Sequence, residues 1–348
     1  MTEQFSYEKA GVSIETADAA KRRMAASMQS ADPRVLNRLG PFASLFAADF
    51  PECREPVLVL KMEEPGSKQK LAFQHGRVRS IAYDLIHHLI DDIIVMGAAP
   101  LAVLDTIICG KLEPRQVTDM VDAMAEACRL QGCSLVGGET SEQPGVIDAG
   151  LYVLAAAIVG VVDRSRIIDG SKIAEGDTVM AVASNGLHTN GYSLVRALLA
   201  KDHHLAERRV GDESFLDAIL RPHTCYYQPF RGLFGNDGLH GLAHITGGGI
   251  EGNLNRVMPD GLGARIDLGQ IRILDVFKVI REAGAVSDAD MRRTFNLGVG
   301  MTMVVAPDAV ESIRWHLEGF DLAAYPIGRI ERREAKVVFD GALNWQRP

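Results

Sequence analysis

The segment Tyr83–Gly97, YDLIHHLIDDIIVMG, concentrates ionisable side chains at helical spacing. Asp84, His88 and Asp92 recur every four positions, and His87 and Asp91 form an adjacent row, so on a helix they share one side of the cylinder. Carboxylates stacked this way repel one another unless a cation or a helix end relieves them. Mg2+ carrying a nucleotide is one solution, because it takes one or two protein carboxylates and fills its other octahedral positions with phosphate oxygens and water. The alternative is a solvated polar face, with Asp84 a favourable acid in the first turn.

Glycine-rich strings form a second constellation. Gly137-Gly138-Glu139-Thr140, Gly186 to Ser193 (GLHTNGYS) and Thr246-Gly247-Gly248-Gly249 each follow an apolar run that reads as a strand. A strand–glycine turn–helix aims backbone N–H groups and the positive end of a helix dipole at one spot, which suits phosphate, although glycine also simply permits positive φ. Phe295 to Gly300 adds a further turn, with Asn296 in it and Arg292 and Arg293 beside it as anion ligands or as a solvated edge. Neither GxxxxGK[ST] nor GxGxxG in a βαβ setting occurs. Glu63-Glu64-Pro65-Gly66-Ser67-Lys68 places acid, glycine, hydroxyl and ammonium close enough to serve a metal and a phosphate together, or to form an ordinary exposed turn. His188 and His244 sit on two of the turns, where each is a candidate proton carrier near neutral pH or a structural histidine. His203-His204 lies in a polar run and reads as solvated. GxSxG is missing, so no nucleophile elbow is expected.

The elements that must position these groups follow from periodicity. Pro56–Lys61, Leu101–Ile108, Cys133–Val136 and Leu151–Val162 read as strands, and 80–97 and Pro114–Gln131 as helices, the latter with Val117, Met120, Val121, Met124, Ala125 and Cys128 on one stripe. Residues 1–55 read as an irregular arm with one helix. The polar, glycine-bearing stretch Arg164–Ile173 suggests a boundary, giving an N-terminal domain over 1–167 and a C-terminal domain over 168–348. In the second half Thr178–Ala183, Ala243–Gly249 and Phe295–Val305 read as strands, and Tyr192–Leu199, 273–284 and 307–318 as helices. The expected class is α+β, with a mixed sheet in the first half and an α/β sandwich in the second.

Composition narrows the function classes. The chain has 348 residues, 47% hydrophobic and 24% charged, which is globular and long enough for two cores. A net charge of −8 gives no general attraction to nucleic acid or an anionic membrane, so neither is an expected partner. Cys53, Cys109, Cys128, Cys133 and Cys225 form no CxxC pair and read as reduced thiols. No signal-like apolar run opens the chain, and a cytoplasmic location is expected.

Together the strings Tyr7…Ala10-Gly11-Val12, Gly110-Lys111-Leu112, GCSLVGGET (132–140), Ile167-Ile168-Asp169-Gly170, HTNGYSLVR (188–196), HITGGG (244–249) and Arg293-Thr294-Phe295-Asn296 resemble aminoimidazole ribonucleotide synthetase (phosphoribosylformylglycinamidine cyclo-ligase) in order and spacing. The resemblance runs from about residue 5 to 335. It implies ATP-dependent closure of the imidazole ring of formylglycinamidine ribonucleotide in purine biosynthesis, through a phosphorylated amide. It further implies a homodimer whose N-terminal sheets pair into a barrel, with ATP close to that interface, and Mg2+. Carried onto this chain, Asp92 and Glu139 would hold Mg2+–ATP with Glu63. Lys68, Ser67, Gly66, Asp84, Gly137 and Gly138 would serve the nucleotide. Thr189, Asn190, Gly191, Ser193, Thr246, Gly247, Gly248, Arg293 and Asn296 would serve the substrate, and His188, His244 and Glu139 the chemistry.

One departure bears on this. Where the family usually reads Asp-Gly-Val-Gly-Thr-Lys, this chain reads Glu63-Glu64-Pro65-Gly66-Ser67-Lys68, and Asp91-Asp92 replaces the usual Asn-Asp. Glu64 adds an acid and Pro65 removes an N–H donor near the expected phosphates, which predicts altered metal or nucleotide binding. The competing readings are another ATP-using enzyme of the same superfamily, such as thiamine-phosphate kinase, selenophosphate synthetase or the related amidotransferase synthetase, and a catalytically weakened nucleotide-binding or regulatory homologue.

Overall fold

The computed structural model describes residue 15, residues 23–36 and residues 42–346. The Tyr7 to Val12 string lies outside these, as does nearly half of the arm read over 1–55.

The first half is β1 (Pro56–Glu63), α1 (Lys68–Gln74), α2 (Val78–Ile94), β2 (Ala99–Cys109), α3 (Pro114–Leu130), β3 (Ser134–Glu142) and β4 (Tyr152–Asp163). The strands form one mixed sheet in the order β1-β4-β2-β3, antiparallel except for β2 with β3. Strand alternation gives the sheet two unlike faces. Val103, Ile107, Leu154, Ala156 and Ile158 turn inward and are buried with the stripes of α2 and α3. Leu58, Leu60, Met62 and Leu104 turn outward and are exposed.

α2 is buried on almost every side. Ile81, Leu85, Ile86, Leu89, Ile90, Ile93 and Ile94 are fully inaccessible, each contributing on the order of 1.5–3 kcal/mol by burial. It ends at Gly97, whose φ of +77° is a left-handed conformation that suits glycine. α3 opens with Pro114 at its first position, where no N–H is required, and buries the expected stripe of Val117, Met120, Val121, Met124, Ala125 and Cys128.

Gly137 and Gly138 correct the sequence reading. They do not end a strand; β3 continues through both to Glu142. The reason lies on the neighbouring strand: Gly138 pairs with Asp105 of β2, and a side chain on Gly138 would collide with the Asp105 carboxylate. The glycine supplies space rather than a bend.

The second half is β5 (Thr178–Ala183), α4 (Tyr192–Lys201), β6 (Leu239–His244), α5 (Gly249–Leu254), β7 (Leu262–Asp267), α6 (Asp275–Gly284), α7 (Asp288–Thr294), β8 (Val299–Val305), α8 (Val310–Glu318), β9 (Ala324–Arg332) and β10 (Val337–Asp340), with shorter pieces between β5 and β6. The sheet order is β10-β7-β9-β5-β8-β6, and only β10 with β7 is parallel. Every residue of β8 is buried, as expected for a strand paired on both sides and covered on both faces. β6 starts earlier than the expected 243, and β8 starts later than the expected 295, because Phe295–Gly298 is a turn with positive φ at Leu297 and Gly298. β7, β9, β10 and α7 were not anticipated. The class is α+β with two mixed sheets. Among the described residues no helix is long and apolar enough to cross a membrane.

A candidate active site at the seam between the halves

The polar rows of α2 are not solvated. The second half covers them, and Asp84, His87, His88 and Asp91 are all buried. Asp84 is the anchor. Its Oδ1 accepts hydrogen bonds from Lys68 Nζ at 2.9 Å and from the His223 backbone N–H at 2.7 Å, and Lys68 Nζ also donates to the Arg221 carbonyl at 2.7 Å. Burial pushes the Asp84 carboxyl up to about 6 despite the neighbouring ammonium, and it pulls Lys68 down. Lys68, which the sequence reading assigned to the nucleotide phosphates, here holds an internal ion pair with Asp84.

One row along, Asp91 accepts the Tyr226 N–H at 2.8 Å, and His87 Nδ1 donates to the His223 carbonyl at 2.5 Å. Three bonds from α2 to the backbone of 223–226 pin that loop to the helix. Desolvation pushes the Asp91 carboxyl well up and lowers the His87 ring to about 4.

Asp92 sits at the open end of the seam. Oδ1 accepts from His244 Nδ1 at 2.8 Å, and Oδ2 lies 3.0 Å from Lys61 Nζ. Lys61 Nζ is also 2.9 Å from Glu63 Oε2. The two carboxylates therefore converge on one cation position, occupied by a lysine ammonium. Burial alone would raise the Asp92 carboxyl, but the His244 hydrogen bond and the charges of His244, His88 and Lys61 outweigh it and hold Asp92 well below the usual carboxylate range.

Four imidazoles pack beside Asp92. The rings of His188 and His223 stack with centroids 3.8 Å apart, and His88 and His244 lie edge to face at 5.1 Å. His88 Nδ1 is 2.9 Å from Thr189 Oγ1. Among the described residues neither ring nitrogen of His188 has a hydrogen-bond partner, and His188 holds the unusual φ of +61°. Burial first, then the neighbouring histidines, drives His188 and His223 well below the ordinary imidazole range, so both are neutral.

The glycine turns meet this cluster. A side chain at Gly66 would lie 3.2 Å from the Thr189 carbonyl, and one at Gly247 would lie 3.2 Å from Asn190 Oδ1. The Glu63–Lys68, HTNG and TGGG segments and the carboxylate-bearing helix thus share one seam. Gly191, with φ +83°, caps α4, and the Phe295 ring packs directly over it. Gly247 and Gly248 are exposed beside the half-buried Thr246, and Ser67 is half-buried at the start of α1.

Other expected residues fall elsewhere. Glu139 pairs with Thr106 and so shares the outer sheet face with Leu104, away from Asp92 and Glu63. Asn296 is buried, its amide donating to the Gly186 carbonyl and its oxygen accepting from Ser184 and Gly298, which makes it an internal clamp. Ser193 is exposed and lines a separate cleft with Lys70, His75 and Arg196. Arg293 is exposed, and its carbonyl accepts the Gly248 N–H, while Arg292 stacks on Phe339. Glu64 turns to solvent and accepts from Gln69. Sequence reasoning missed Lys61 and His223. Neither has a local signature; Lys61 reads as a strand residue and His223 as a loop residue after Pro222.

Two family models cover most of the chain: AIR synthase related protein, N-terminal domain, over 55–162, and AIR synthase related protein, C-terminal domain, over 174–341. A phosphoribosylformylglycinamidine cyclo-ligase of Desulfitobacterium hafniense is 38% identical over 338 residues, covering 96% of this chain and 99% of the relative. That of Sorangium cellulosum is 44% identical over 312 residues, covering 88% and 89%. Among solved structures, the hydrogenase maturation protein HypE in complex with ATP superposes with a TM-score of 0.62 at 15% identity, covering 91% of this chain and 88% of that one. At that identity the likeness speaks for the fold.

Proposed function

Because the chain belongs to the AIR synthase related protein family, we infer that the seam between its halves is the active site of an ATP-dependent cyclo-ligase. The reaction closes the imidazole ring of formylglycinamidine ribonucleotide to give aminoimidazole ribonucleotide, in de novo purine biosynthesis. The amide oxygen attacks the γ-phosphorus of ATP and ADP leaves. The amidine nitrogen then attacks the activated carbon, phosphate departs, and loss of a proton completes the aromatic ring. Positioning and charge neutralisation carry most of such a reaction.

The observation that supports this reading at the residue level is the convergence just described: α2, the Gly66 turn, the HTNG turn and the TGGG turn close on one spot. His244, oriented through Nδ1 by Asp92, presents Nε2 as the proton acceptor, with His188 beside it. We assign the substrate phosphate to the turn at 189–191 before α4, together with Gly247 and Gly248. Glu63 and Asp92 have the donor atoms that would hold Mg2+, which would supply positive charge to neutralise the nucleotide phosphates. Lys61, bonded to both carboxylates, would compete with it for that position.

We further propose a cytoplasmic homodimer. Leu58, Leu60 and Met62 on β1 are 54%, 71% and 65% exposed and continue into Leu104 and Val153 on the same outer face. Such a row needs a cover. β1 and β3 are free sheet edges among the described residues, so two copies can close their sheets into a barrel that removes both the edges and the exposed face. Glu139, Gly137 and Gly138 then border the dimer interface.

A coupled assay of ADP release tests the reading. Turnover that requires both ATP and formylglycinamidine ribonucleotide is expected. Folded dimer without turnover would replace this reading with that of a nucleotide-binding homologue in which Lys61 holds the metal position.

A further inference from the structure

Two imidazole nitrogens at the seam, His223 Nε2 and His244 Nε2, lie 3.3 Å apart. His244 Nδ1 donates to Asp92, which as a carboxylate can only accept, and His223 Nδ1 donates to the Thr224 carbonyl at 2.7 Å. With both Nδ1 atoms donating elsewhere, the two Nε2 atoms face each other across 3.3 Å, close enough to share a proton or to ligate one ion. His188 is 2% exposed and brings two further nitrogens with no partner among the described residues. One nitrogen from each of the three histidines lies within 4.8 Å of the others.

We propose that His188, His223 and His244 form a three-histidine site for a divalent transition metal of zinc-like chemistry. Metal–nitrogen bonds of about 2.0–2.1 Å at the tetrahedral angle separate two ligand nitrogens by about 3.3–3.4 Å, the spacing of His223 and His244. Imidazole nitrogen suits zinc, cobalt, nickel and copper, whereas Mg2+ prefers oxygen, so this site is chemically distinct from the Glu63–Asp92 carboxylates. The second layer is also in place: a carboxylate behind His244 and a backbone carbonyl behind His223 fix the Nε2 atoms as ligands, the usual support of a metal-binding histidine. Three protein ligands leave one position open, and the His88 ring borders the cluster, 5.7 Å from His223 and 5.1 Å from His244. A bound metal would tie the HTNG turn, the 221–226 loop and the end of β6 together. It would also take the lone pair that His244 needs for proton transfer, so occupancy and turnover compete. The site stands on histidine geometry and does not depend on the ligase reading.

The test uses the full-length protein stripped with a chelator and titrated with Co2+ and Zn2+. The expected result is one Co2+ per chain with the intense visible absorption of a four-coordinate, nitrogen-rich site, displaced by Zn2+, and a rise in Tm with Zn2+. Removing a second-layer partner typically costs 10–100-fold in affinity, so Asp92→Asn should weaken Zn2+ by that factor and His223→Ala by at least as much. Trace uptake by the wild type, or uptake by His223→Ala equal to it, overturns the proposal. If His223→Ala does not fold, the wild-type spectrum decides: weak six-coordinate bands would assign the ion to the carboxylates instead and overturn it too.

Discussion

Lys68 and Asp84 form an ion pair from which water is excluded altogether, with Nζ 2.7 Å from Oδ2 and both side chains fully buried. Two charges in such a place attract strongly, but each has lost its hydration, so the pair does not have to stabilise the fold relative to apolar side chains. Its visible effect is geometric. Asp84 holds the His223 N–H, Lys68 holds the Arg221 carbonyl, and the 221–226 loop is thereby carried onto α2, where His223 joins the cluster.

Removing one partner leaves the other charge stranded. Lys68→Met should lower unfolding free energy by ~3–5 kcal/mol, and Lys68→Met with Asp84→Leu should recover most of it. Urea denaturation of the three proteins measures both numbers. A loss below about 1 kcal/mol in the single variant would mean that water or a relaxed loop compensates Asp84.

Lys61 explains how the chain tolerates Glu63 beside Asp92. Its ammonium, shared between them, supplies the charge that a metal would otherwise supply. Lys61→Met should tighten Mg2+ binding, measured by calorimetry in the presence of ATP, by roughly tenfold, equivalent to about 1.4 kcal/mol. Glu64→Gly should change Mg2+–ATP affinity far less, because Glu64 points to solvent and bonds to Gln69. The reverse ranking would place the extra acid, not the lysine, at the metal.

Local pattern and long-range packing were unequally legible in the sequence. The stripes of α2 and α3 and the strands around them follow from periodicity alone. The alignment of Asp84, His88 and Asp92 was also readable, but whether those groups meet water or protein depended on residues 188–244, far along the chain. Gly137-Gly138 misled for the same reason: the demand for glycine comes from Asp105, a residue on another strand. β7, β9 and β10 (LGARID, AYPIGRIER, VVFD) carry charges, a proline or few residues, and owe their strand form to their neighbours in the sheet. His223 became visible only when its loop was seen folded against α2.

Asp105 gives a pH signature. Its carboxyl faces Gly138 and the Cys128 thiol, with no cation beside it among the described residues, and burial pushes it up to about 7. An ordinary aspartate titrates near 3.9, so between about pH 4 and 7 the folded chain binds a proton that the unfolded chain has released. That contribution is fully present below about pH 4 and is lost as pH rises through about 7, a change of up to ~4 kcal/mol at 1.36 kcal/mol per unit. Asp105→Asn should flatten the stability profile over that window and raise Tm at pH 8. An unchanged slope would show that Asp105 stays ionised and hydrated in the fold.

The exposed row on β1 permits a direct test of assembly. Leu60 is the most exposed of its residues at 71%, makes no use of the seam, and points away from Lys61 and Glu63, which face α2. Leu60→Arg therefore leaves the fold of one chain intact while placing a charge where a partner's sheet would pack, and burying that charge without a counter-ion is prohibitive. Sedimentation velocity should show the wild type as a dimer and the variant as a monomer with unchanged circular dichroism. If ATP lies near that interface, the monomer should also lose nucleotide affinity. A wild-type monomer, or a variant that still dimerises through another surface, would exclude barrel closure as the way this sheet is covered.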